Sequence, residues 1–174
     1  MRFRTLLFAA AFLPLFGQEP SLPPNLEALA ARADESVRVS LDGSLLQMAA
    51  KMIPDEDQHS AAIRKIIAGI QGIYVRSFQF GSDGEYSAAD LESAKAQFRD
   101  PSWSRMVSVQ SKAEGDCDVY IRGAAEGKLA GIAVVAGEPR ELTIVRIVGE
   151  ISPEQLVDLG GEFHIPRLQR KERK

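Results

Sequence analysis

Only one of the 174 residues is cysteine, one is tryptophan and two are histidine. The lone Cys117 cannot close an internal disulfide, so the fold has to stand on its apolar interior. His59, His164 and Cys117 cannot assemble a structural zinc site without distant carboxylates. Neither histidine sits in a recognisable nucleophile–base setting, and there is no Gly-x-Ser-x-Gly elbow. A positive field is also missing: 21 bases face 24 acids, a formal charge of −3, which excludes whole-molecule attraction to nucleic acid. No apolar run reaches the roughly 20 residues that a membrane-spanning helix needs. What remains, 45% hydrophobic and 26% charged residues, suits one domain, which at this size buries roughly 68–70% of its unfolded surface.

The N-terminus reads as an address. Arg2 and Arg4 precede the apolar stretch Leu6 to Leu13, and Pro14 to Gly17 close it, the pattern of a cleaved secretory signal over 1–17. Residues 18–36 then hold Pro20, Pro23 and Pro24 and a short helix candidate from Leu26, a tether leading into a single domain over 37–168. Gln18 stands where a lipoprotein would carry its cysteine, so the expectation is a periplasmic or envelope-associated protein that is not lipid-anchored. Residues 169–174 are a basic tail; with Arg167 they supply a cluster that allows weak peripheral contact with an anionic membrane, though a solvated end is the simpler reading. Export makes Cys117 an unpaired thiol between Asp116 and Asp118, whose charges disfavour the thiolate.

Along the domain the hydrophobic period changes repeatedly. Val37, Val39 and Leu41 alternate as a strand does, Leu45, Met48, Ala49 and Met52 form a helical stripe ended by Pro54, and Ile63 to Ile70 form another. Gly72 to Phe80 reads as a long strand. Ser87 and Asp90 form a capping signal with Tyr86 and Leu91 at the staple positions. Four strand-like runs follow near Arg105–Ser111, Val119–Gly123, Leu129–Val135 and Leu142–Val148, and Ser152 to Gln155 begins a last helix. The order predicts an α+β fold: a largely antiparallel sheet of about five or six strands with helices packed on one face.

Chemistry-bearing motifs are few. Gly123, Gly127 and Lys128 imitate a phosphate loop but lack its spacing and its Ser/Thr, so they read as a hairpin turn. Glu114, Asp116 and Asp118 alternate without the acid–glycine order of a calcium loop. Tyr74 and Arg76 share a strand face with Phe78 and Phe80, the latter two as core. Trp103 and Arg105 follow a Pro-containing turn. Tyr74, Arg76, Trp103 and Arg105 are therefore the candidate interaction surface. No catalytic, cofactor or metal-binding residue is assigned.

Three segments, QGIYVRSFQFGSDGEY (71–86), PSWSR (101–105) and PRELTIVRIVGEISPEQLVDLGGEFHIPRL (139–168), resemble a bacterial family of exported proteins catalogued as domain of unknown function 4252. The resemblance implies export and a compact α+β domain, without an established activity. Some relatives resemble products encoded beside extracytoplasmic-function sigma factors, which implies a link to envelope stress. The expectation is a non-enzymatic binding or interaction module that meets an unknown envelope protein or small ligand, without cofactor or nucleic acid. The alternative is a small periplasmic hydrolase using carboxylates. Intact-mass measurement of protein recovered from the envelope should show a mature chain that begins between Leu15 and Pro20; a retained N-terminus contradicts the signal reading.

Overall fold

The alternation beginning at Val37 becomes β1 (Glu35–Asp42), and Asp42 both ends that strand and caps the next helix, its carboxylate accepting from the Leu45 N–H at 2.9 Å. The computed structural model describes residues 20–54, 58–124 and 127–152. Before β1 lies α1 (Pro24–Leu29), with proline at its first helical position. After it come α2 (Gly43–Met52), α3 (Gln58–Gly69) and β2 (Ile70–Gln79). α4 (Ala88–Ala96) starts with the expected reciprocal cap, Ser87 and Asp90 each bonding the other's backbone N–H. β3 (Trp103–Ser111), β4 (Gly115–Gly123), β5 (Leu129–Glu138) and β6 (Glu141–Ile151) complete the chain. The signal segment, the last helix beyond Ser152, His164 and the basic tail lie outside the described residues.

The strands form one sheet in the order β1-β2-β6-β5-β4-β3, with every paired neighbour antiparallel. This is the α+β fold expected, with the late strands as a meander. The helices, expected on one face, divide between two. Leu26 and Leu29 of α1, with Ala94 of α4 and Phe98 just beyond it, bury Phe78, Leu142 and Val135 on one side of the sheet, called the helix face below. On the other side, Leu46 of α2 and Ile66 of α3 pack with Ile70 and Ile151 against Leu41, Ile73, Ile147 and Ile132. The reason is the joint at Asp42: the chain leaves β1 directly into α2, so the helix pair folds onto the side to which Leu41 and Ile73 already point.

The α2 stripe also differs from expectation. Leu46 and Ala50 are the buried positions, while Leu45, Met48 and Met52 face outward, Met52 at 81% exposure. The apolar stripe visible in sequence therefore marks the outer side of this helix.

Where α3 gives way to β2, the pairing of β2 with β6 is irregular between Ile70 and Gly72. Gly149 answers it from β6 with φ +146°, and a Cβ there would collide with the Gly69 carbonyl. Only glycine accepts that conformation at such close approach. Gly149→Ala should lower stability by about 2 kcal/mol, within the usual range for a strained backbone position, read as a lower urea midpoint; an unchanged midpoint contradicts it.

Candidate functional site

β3 lies at an edge of the sheet and carries one extra residue. Trp103 pairs with Arg122 and Arg105 with Tyr120, after which the register shifts and Val107 meets Val119. The extra residue, Met106, reverses the alternation. Trp103 and Arg105 thus point to the helix face, whereas Val107 and Val109 point to the opposite one. On β2, Tyr74 pairs with Arg146 and Arg76 with Ile144, on the helix face as well. The four expected residues share that face, yet β2 and β3 stand four neighbour steps apart, roughly 19 Å.

Two arginines absent from the sequence reading span that distance. The guanidinium carbons of Arg122 and Arg146 lie 5.4 and 5.6 Å from the Trp103 ring centroid, within cation–π reach. Gly131 makes this possible: a Cβ on it would stand 3.1 Å from the tip of the indole, so the ring leans from β3 across β4 onto β5 where the sheet has no side chain. Phe98 meets Trp103 edge-on at 5.2 Å and stacks on Tyr120 at 5.2 Å. Tyr74 likewise lies over Gly72. The Tyr74 and Trp103 rings flank Arg146, whose Nε is buried without a hydrogen-bond partner. Burial lowers the Arg146 pKa, and the Arg122 charge adds to the effect. Arg122 donates to the Ala130 carbonyl at 3.2 Å. Among the described residues no carboxylate forms an ion pair with either. Arg76 is buried beneath them and donates to the Val75 carbonyl at 3.0 Å.

Beside Trp103 opens a depression of about 350 Å³ lined by Lys95, Phe98, Arg105 and Tyr120, with Glu92 and Arg99 at its rim, at the small end of ligand-cleft sizes. Phe98 separates it from a cleft of about 20 Å³ against Tyr74, Arg76 and Arg146, which holds about one water.

The acids near this depression are already engaged. Lys95, 6% exposed, places its Nζ 3.2 Å from Asp116 and 3.3 Å from Asp118, which is 1% exposed. Tyr120 donates its hydroxyl to Asp118 at 3.3 Å, and Arg105 approaches it at 3.8 Å. Burial pushes the Asp118 pKa up, but hydrogen bonds from Ser108 and Lys95 and the Lys95 charge outweigh it, leaving it below 3.8. Lys95 is held above 10.5 for the converse reason: burial lowers it and the two aspartates more than restore it. Asp118 therefore keeps no proton to give at neutral pH, and Lys95 accepts none. The pair is built to hold α4 on the sheet, which removes the acids a carboxylate-dependent hydrolase would use here. Cys117, half-buried on the opposite face, has its pKa raised by burial and then by Asp118, which suppresses the thiolate.

A family model described as domain of unknown function (DUF4252) matches residues 31–159. The chain belongs to that family of α+β domains. No curated protein and no solved structure matches it significantly.

Lys95→Met should cost about 3–5 kcal/mol, because Asp118 is left charged and unpaired in the interior. The Asp118 contribution is present above its unfolded pKa near 3.8 and is lost as pH falls through the lower folded value; the Lys95 contribution is full below 10.5 and is lost as pH rises through the higher folded value. Urea unfolding of wild type and variant should thus differ most between those limits and converge in acid. A difference that persists unchanged at acid pH contradicts the pairing.

Proposed function

We propose that this is an exported envelope protein acting as a binding module, not a catalyst, and that it receives an anionic group beside Trp103. The observation carrying this reading is the convergence of Arg122 and Arg146 on one indole without a described counter-acid. In a chain of net negative charge, two half-buried guanidiniums on one ring hold charge that neighbours leave uncompensated. A carboxylate or phosphate matches the guanidinium fork, and the indole with the adjoining depression accommodates an apolar or ring-shaped body. Arg105, on the exposed rim, extends the positive approach. The secretory pattern of residues 1–17 supports the location.

Trp103 is the only tryptophan, so its emission reports on the site directly. Titration of the mature protein with inorganic phosphate, citrate and an acidic peptide should shift that emission for at least one probe. Arg146→Gln should weaken the response about tenfold, the loss of a charge-assisted hydrogen bond. Added salt should weaken it further. Failure of all three probes, or an Arg146→Gln protein that titrates like wild type, overturns the reading.

A further inference from the structure

The sheet side opposite the helix face is only partly covered. α2 and α3 reach the Leu41–Ile73–Ile147–Ile132 row. Beyond it, six valines stand in register across all six strands: Val39, Val75, Val145, Val134, Val119 and Val107. A further row, Val37, Ser77, Thr143, Ala136, Cys117 and Val109, is equally free of charge. None of these twelve is buried, and Val37, Val107 and Val109 are 39%, 39% and 44% exposed. Uncharged β-branched rows of this kind belong to a sheet face packed against another layer.

We propose that this face is the seat of the chain's own C-terminal segment, residues 153–168. The argument rests on size, origin and composition. Five strand spacings give a width of about 24 Å and two rows a depth of about 14 Å, a footprint of roughly 340 Å². That is less than half the roughly 800 Å² per partner of a standard stable interface, so a second copy is underprovided. One chain element, about 10–12 Å across, fills it. The segment starts where it is needed: β6, an inner strand, ends at Ile151, which is 1% exposed among the α2 and α3 residues of this same side. It carries Leu156, Val157, Leu159, Phe163, Ile165 and Leu168, and the family match continues through residue 159. Being tethered at the edge of the face, it needs no free encounter to bind.

Cys117 lies in the open row and is the natural reporter. In the full chain, a single cysteine introduced as Leu156→Cys, Leu159→Cys or Phe163→Cys should form an intramolecular disulfide with Cys117 under mild oxidation for at least one of the three. The full-length double variant Leu156→Asp with Leu159→Asp, its fold verified by circular dichroism, should react with a maleimide at Cys117 about tenfold faster than wild type, as local opening exposes the thiol. Disulfide-linked dimers in place of the intramolecular bond assign the face to a second copy and overturn the proposal. So does the absence of any crosslink, or an unchanged maleimide rate in the folded double variant.

Discussion

In an antiparallel sheet successive side chains point to opposite sides, so each strand serves two surfaces at once, and a single extra residue exchanges them. Everything assigned to this protein depends on that period. It places Phe78, Val135 and Leu142 under α1 and α4 while sending the registered valines the other way. At Met106 the extra residue exchanges the sides of β3 midway. Without it Trp103, Arg105, Val107 and Val109 would share one side, and the aromatic surface would mix with the valine rows. The bulge keeps one side polar and aromatic near its edge, and the other apolar.

Charge is distributed by the same geometry into two opposed situations only a few strands apart. Lys95 and Asp118 enter the interior together and satisfy each other, with Asp116, Tyr120 and Arg105 completing the set. Such a pair adds little over an apolar equivalent but is costly to break, so it fixes where α4 sits. Arg122 and Arg146 share an aromatic ring instead of a carboxylate. Their positive charge, partly withdrawn from water, is the strongest local departure from the acidic character of the chain.

Local signals in the sequence carried most of the elements. Alternation and turn residues are short-range properties, which is why the six strands, the Ser87–Asp90 cap and the Asp42 helix start were legible, and why the four late strands could be read as a meander. The α2 stripe was legible as a helix but assigned the wrong side, because periodicity reports an apolar stripe and not what covers it; Leu45, Met48 and Met52 turn outward. Of the site, Tyr74, Arg76, Trp103 and Arg105 were legible as chemistry on strands. Arg122 and Arg146 were not, although two traces existed: a charge within the apolar run LTIVRIV and a glycine, Gly131, inside a strand.

By itself the sequence determined the α+β class, the strand segments, the dependence on an apolar core without disulfides, and the family. Each follows from composition or from neighbours within a few residues. Only the tertiary structure decided that β6 inserts between β2 and β5, which brings Arg146 beside Tyr74 and within reach of Trp103 from the far edge. It alone divided the helices between two sides and left the valine rows in register. Strand order is settled by packing among residues distant along the chain, and no local pattern encodes which strand becomes whose neighbour.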